Sequence, residues 1–329
     1  MKNLVIALVF LVRALSAAAE DSPFWYFDDH HYYDPLIAGV RDPHLSALFL
    51  ARGKRIAFQV SDDDPRTIWD IDVGGEMPII GYEHGASSKG RMAKKGLGIG
   101  LWIPIDFHMV EDLSDNSGPI VNTDYRFGGM VKVQYGLSAT TSVAGRIHFG
   151  HESTHLGDEF SIVGQREFPL TFERINVSWE YVDAGVLYEN RGTEPHFGFR
   201  GGVTANIRGS YYETGPDSVT ISPHPPVVPS HNRQDPYAGV DVFWEDLGKW
   251  DLYLSTEVRW RTIYDYHRPS RDTPEDRQAS VNIIVGTKFN SASNAASPFL
   301  RFYRGVNPHG QFRNQKNYTE IGLGVRLIR

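Results

Sequence analysis

Polar and apolar residues alternate one for one along much of this chain. The clearest run is 93–107. Leu97, Ile99, Leu101, Ile103, Ile105 and Phe107 share one face, and Gly98, Gly100, Trp102, Pro104 and Asp106 share the other. Period two predicts a strand with one oily and one wet side. The same pattern places Ile56, Phe58 and Val60 on a strand over 55–61, then a turn at Asp62–Pro65 and a strand over 67–74 carrying Trp69, Ile71 and Val73. Further runs cover 121–135, 139–155, 174–181, 196–208, 237–244, 250–264, 280–289, 299–304 and 318–328. In 174–181 the oily parity is Ile175, Val177, Trp179 and Tyr181, and the wet parity is Arg174, Asn176, Ser178 and Glu180. The count is about twelve strands, most of about 8–16 residues, near the length that crosses a bilayer.

Two features favour a membrane barrel over a soluble sandwich. The wet parity carries full charges over long strands: Arg126, Lys132, Arg146, Arg174, Glu180, Arg200, Arg208, Glu257 and Arg259. Connections also alternate in length. Those at 108–120, 156–169, 209–233, 267–277 and 305–316 are long, whereas those at 136–137, 190–195, 246–249 and 291–296 are short. Short periplasmic turns and long extracellular loops are the habit of outer-membrane barrels. The connection at 83–92 is an exception, being periplasmic in this scheme yet long. The expected fold is all-β, a transmembrane antiparallel up-and-down barrel over 55–329. The lumen charges have two readings: a narrow pore for anions, or mixed charges that neutralise one another and fill the barrel.

Composition narrows the setting. There are 16 Tyr, 18 Phe, 7 Trp and 32 Gly but no Cys, which excludes a disulfide framework and a lipid-modified Cys. Lys2 followed by the apolar run 4–12 and Ala17-Ala18-Ala19 reads as a secretory signal peptide over 1–19. Without Lys2 and Arg13 the chain has 31 basic and 40 acidic residues, a net −9 that argues against nucleic acid as a partner. Residues 20–54, aromatic and polar at the start, read as a periplasmic lead-in. The expected location is the bacterial outer membrane, with outer-leaflet lipids and the barrel assembly machinery as partners. The sequence implies no cofactor and leaves the oligomeric state open.

Four segments carry a resemblance: 34–43 (DPLIAGVRDP), 122–128 (NTDYRFG), 151–159 (HESTHLGDE) and 303–312 (YRGVNPHGQF). On these the chain resembles the bacterial family called domain of unknown function 1207. The resemblance implies an outer-membrane barrel and no established activity.

Candidate chemistry lies in 139–159. Val143, Gly145, Ile147 and Phe149 form the oily parity, and carried forward it reaches His151, Ser153 and His155. Residues two apart on a strand point the same way, about 6.6 Å apart at Cα. An imidazole can then act as base for a serine hydroxyl on the membrane side. His-x-Ser on a lipid-facing strand is similar to the arrangement in the outer-membrane phospholipase A and lipid A deacylase barrels. That resemblance implies His151 as base, Ser153 as nucleophile and an Asn or Glu on a neighbouring strand as orienter. Glu173 is the candidate on the next strand, with Glu159 and Glu167 in the loop between. Thr154-His155 stand where the phospholipase pattern has Asn-Gly, which weakens any inference of its oxyanion site or calcium site. A metal on His151, His155, Asp158 and Glu159 is disfavoured, because the two histidines lie about 13 Å apart on a regular strand. The bland reading makes 154–159 a rim of polar residues at headgroup depth, where a polar side chain is tolerated. The functional expectations are therefore a lipid-ester hydrolase or, alternatively, a narrow channel or structural barrel without chemistry.

Overall fold

The computed structural model describes residues 24–27, 32–33, 35–54, 66–84, 96–114, 120–156, 174–214, 234–263, 276–289, 295–310 and 316–328. The leader at 1–19, the strand expected at 55–61 and Glu159, Glu167 and Glu173 lie outside them. The elements are β1 (Phe24–Tyr26), β2 (Leu45–Lys54), β3 (Arg66–His84), β4 (Leu97–Asp112), β5 (Ile120–Gly136), β6 (Thr141–Leu156) and β7 (Arg174–Asn190). They continue with β8 (His196–Thr214), β9 (Gln234–Leu247), β10 (Trp250–Ile263), β11 (Asp276–Phe289), β12 (Ala295–Gly305) and β13 (Tyr318–Ile328).

Strands β2 to β13 pair antiparallel in sequence order, and β13 closes back onto β2, giving a barrel of twelve. Closure leaves no free edge, which a sheet in hydrocarbon requires. The short strand β1 pairs with the far end of β3, Phe24–Tyr26 against Ile80–Tyr82, beyond the point where β2 begins. One edge of the barrel carries the short connections 137–140, 191–195 and 248–249, and the other carries the long ones 157–173, 215–233 and 264–275. By that asymmetry the first edge is periplasmic and the second extracellular.

The outer surface is an apolar belt. Ile105 is 55% exposed, Phe149 58%, Val186 62% and Leu323 53%. Aromatic residues gird it at both edges: Trp69, Tyr125 and Trp260 towards the long connections, Tyr135, Tyr188 and Trp250 towards the short ones. Such girdles sit at the two membrane interfaces. The barrel is an outer-membrane barrel by this surface and by its closure.

The lumen is crossed by protein. Residues 32–33 and 35–44 lie inside it. Lys132 Nζ of β5 donates to Tyr33 O at 2.8 Å, and Arg146 Nη1 of β6 meets Asp42 Oδ1 at 2.7 Å. On the far side the Ala38 amide donates to Ser255 Oγ of β10 at 2.8 Å, and Asn282 Nδ2 of β11 donates to Ala38 O at 2.7 Å. Arg326 of β13 holds Ile37 O. Segment 306–310 crosses further towards the extracellular side. Gly310 N donates to Asp124 of β5 at 2.9 Å, while Arg261 Nη1 of β10 donates to Asn307 O at 2.8 Å. Val306 N donates to Ser280 Oγ of β11 at 3.0 Å. Glycines on the wall make room for this filling: a Cβ on Gly81 would stand 2.0 Å from the Trp25 ring, which packs against Trp102 and Tyr32.

Three expectations need correction. The expected lead-in does not reach 54, and the barrel does not start at 55: β2 (Leu45–Lys54) is its first strand and 35–44 are its plug. The first strand escaped notice because Leu48 breaks the wet parity; it points inward and packs on Ile37 and Ala38 of the plug. Second, 178–181 has its faces exchanged relative to the expectation for 174–181. Trp179 and Tyr181 are 1% and 5% exposed and line the lumen, where Arg41 of the plug lies 5.8 Å over the Tyr181 ring. Glu180 faces outward, its side chain 51% exposed. Third, of the two readings of the lumen charges, the pore gives way to the other, in which they neutralise one another and fill the barrel. Arg126, Lys132, Arg146, Arg200, Glu257 and Arg259 are buried, and all but Arg200 are 7% exposed or less. Each is paired: Arg126 with Asp106, Lys132 with Glu76, Arg146 with Asp42 and Asp183, Arg200 with Asp241, and Arg259 with Glu257. The side chains of Arg174 and Arg208 lie outside what is described.

Candidate functional site

Strand β6 runs outward from the turn at 137–140, and its pairing with β5 is unbroken from Ser142 to Leu156. Parity therefore persists along it. Ile147 and Phe149 are 48% and 58% exposed on the membrane side, whereas Glu152 and Thr154 are each 1% exposed in the lumen. His151, Ser153 and His155 emerge on the same side as Ile147 and Phe149. Their depth follows from the register: Phe127 opposes His151, Tyr125 opposes Ser153 and Thr123 opposes His155. Since Tyr125 belongs to the extracellular aromatic girdle, the three polar residues stand at the level of the outer-leaflet headgroups.

Ser153 Oγ and His155 Nε2 are 3.0 Å apart. The serine thus bonds to the histidine that follows it, not to His151. The His155 ring stands edge-on to Tyr125, centroids 5.8 Å apart. His151 lies against Phe127 at 5.2 Å, and its Nδ1 is 3.5 Å from Glu180 Oε1 on β7. The outward wall therefore holds two adjoining pairs, Ser153–His155 and His151–Glu180. A hydroxyl bonded to a ring nitrogen is the arrangement by which imidazole removes a proton as the oxygen attacks. The ring's role as acceptor here is assigned from the chemistry, since hydrogens are not seen.

Of the residues expected from the sequence, His151 and Ser153 share the wall, and Glu173 lies outside the described residues. On β7 the Glu180 carboxylate is presented outward, beside His151. His155 and Glu180 are the functional candidates that spacing alone did not single out. His155 has the same parity and separation from Ser153 as His151, so only side-chain direction distinguishes them. Glu180 is in register with His151, a pairing hidden behind the connection 157–173.

The periplasmic half has a different feature. A cavity of about 380 Å³ lies there between the plug and the wall, bordered by Ile37, His44, Arg200, Asp241, Tyr253 and Arg326. Burial pushes the His44 ring down to about 3, so it is neutral, and its Nε2 donates to Gly39 O at 3.0 Å.

The chain's overall shape is similar to several solved barrels. Outer membrane phospholipase A from Escherichia coli has 12% identity and a TM-score of 0.43, over 91% of this chain and 94% of that one. The calcium-bound dimer of Salmonella typhi outer membrane phospholipase has 11% identity and a TM-score of 0.44, over 92% and 95%. The translocator domain of autotransporter NalP from Neisseria meningitidis has 10% identity and a TM-score of 0.41, over 99% and 96%. At such scores these likenesses assign no residue a role. No protein of curated function matches the sequence. A family match does cover residues 22–208, and with them the plug, the outward wall of β5 and β6 and the whole of β7. The chain belongs to the family described as "Protein of unknown function (DUF1207)".

Proposed function

We propose that this outer-membrane barrel hydrolyses lipid esters at its outer wall, with Ser153 as nucleophile and His155 as its base. The observation that carries the reading is the 3.0 Å bond between Ser153 Oγ and His155 Nε2, on the membrane side at girdle depth. A soluble substrate would not meet these side chains, whereas the ester linkages of an outer-leaflet lipid lie just beneath its headgroup. In the first step Ser153 Oγ attacks the ester carbonyl carbon while its proton passes to His155 Nε2. The lipid alcohol leaves with that proton, and the acyl group stays on the serine. Water then attacks the acyl-serine, His155 taking and returning its proton, to release a fatty acid. The His151–Glu180 pair flanks this site and offers a hydrogen-bonding contact to a headgroup.

The test is fatty-acid release from phospholipid in mixed detergent micelles by the purified protein. Ser153→Ala should fall to the background rate, and His155→Ala should lose about 10²–10⁴-fold, the worth of a positioned base. His151→Ala should retain most of the activity. Release by Ser153→Ala equal to that of the parent would refute the assignment. The second reading, a structural barrel without chemistry, draws on the paired and filled lumen and predicts no release by any form.

A further inference from the structure

Segment 306–310 carries a histidine into the middle of the lumen. His309 is fully buried, as is Glu320 of β13, and Asp70 of β3 is 4% exposed. One ligating atom from each of the three lies within 4.8 Å of the other two. His309 Nε2 is 3.5 Å from the Tyr318 hydroxyl, but its Nδ1 has no partner among the described residues. The His108 ring stands 4.9 Å from that of His309, and its Nε2 bonds to Asp70. A void of about 30 Å³ abuts Asp70, His108, Arg301 and Pro308, enough for a water or an ion.

We infer that Asp70, His309 and Glu320 bind a divalent first-row transition ion, with zinc the best fit. One imidazole and two carboxylates are a zinc-type donor set, and of the three Asp70 also borders the void. Calcium, which takes six to eight oxygens, suits it less. Ligand atoms around a tetrahedral zinc stand about 3.3 Å apart, so the three side chains must draw together on binding. Arg301 competes with the ion. Its Nη1 is 2.8 Å from Asp70 Oδ2 and 3.3 Å from Glu320 Oε1, and both partners are carboxylates that the ion would use. The segment is already set for the ion: Asn307 Oδ1 accepts the His309 amide at 3.0 Å, and Asp124 accepts that of Gly310. A bound ion would tie this crossing to β3 and β13.

The experiment uses tag-free protein in detergent, stripped with a chelator and titrated with zinc by calorimetry, with metal content measured after dialysis. One zinc per chain is expected. His309→Ala and Asp70→Asn should each weaken binding by about 100-fold or more, beyond the 10–100-fold of an outer-shell change. Arg301→Gln should tighten it about tenfold, a gain that a loss of structure would not produce. Folding of each variant is checked by the heat-dependent migration of barrels in gels. Zinc binding that is absent, or that is unchanged in folded His309→Ala, overturns the site, as does weaker binding by folded Arg301→Gln.

Discussion

Replacing Arg146 by Met is expected to destabilise the barrel by about 3–5 kcal/mol, the cost of breaking a buried ion pair from one side. Arg146 is 7% exposed. It joins the plug to two strands: Nη1 to Asp42 at 2.7 Å, Nε to Asp183 of β7 at 2.9 Å, and Nη2 to the Tyr237 hydroxyl of β9 at 3.4 Å. Its guanidinium also lies 4.8 Å over the Tyr33 ring. Met fills much of the volume but leaves the buried carboxylates of Asp42 and Asp183 without their cation. Burial alone would raise the Asp42 pKa, yet the guanidinium groups of Arg146 and Arg200 hold it below its ordinary value of 3.8. A lowered folded-state pKa means that this contribution is complete above pH 3.8 and is lost as pH falls through the folded value. The deficit of Arg146→Met should therefore be full at neutral pH and shrink in acid, where Asp42 takes up a proton. Denaturant titration followed by tryptophan fluorescence, at neutral and acid pH, measures both effects.

Removing both lumen crossings is expected to turn an insulating barrel into a conducting one, while removing either alone leaves it closed. The reason is placement. Strands β5 and β11 stand six places apart in the ring of twelve, hence opposite one another. Both crossings reach from that side to the other: 33–42 from Lys132 to Asn282, and 306–310 from Asp124 to Ser280. They block the lumen in series, so one suffices. In planar bilayers the full chain should be silent. So should a chain lacking 20–44, and so should one with 306–310 replaced by glycine and serine. The doubly altered chain should give conductance steps. Steps from the full chain would contradict the filled lumen.

The same solidity explains what the sequence concealed. Alternation found the barrel because its outer wall faces lipid, and lipid tolerates little but apolar side chains along β4, β5 and β6. The converse rule, wet residues inward, holds only for a lumen filled with water. Here Leu48, Trp179 and Tyr181 point inward because protein meets them there, and each misled the reading of its strand. Residues 35–44 have no period, since they are neither strand nor helix and are held by side chains of β5, β6, β10, β11 and β13. At the outer wall the period was enough to place His151 and Ser153 on the membrane side. It was silent on which histidine bonds to the serine, because positions 151 and 155 are equivalent by spacing. The tilt of a side chain along its strand decides that, and it depends on Tyr125 and Phe127 of the neighbouring strand.

The central claim is that Ser153 is made nucleophilic by His155 on the membrane face. Its most direct test is labelling of the folded protein in detergent with a fluorophosphonate, followed by mass spectrometry of the adduct. The account predicts one phosphonylated residue, Ser153, with labelling lost in Ser153→Ala, strongly slowed in His155→Ala and little changed in His151→Ala. Folded protein that takes up no label at Ser153, or labels there equally well without His155, would contradict it.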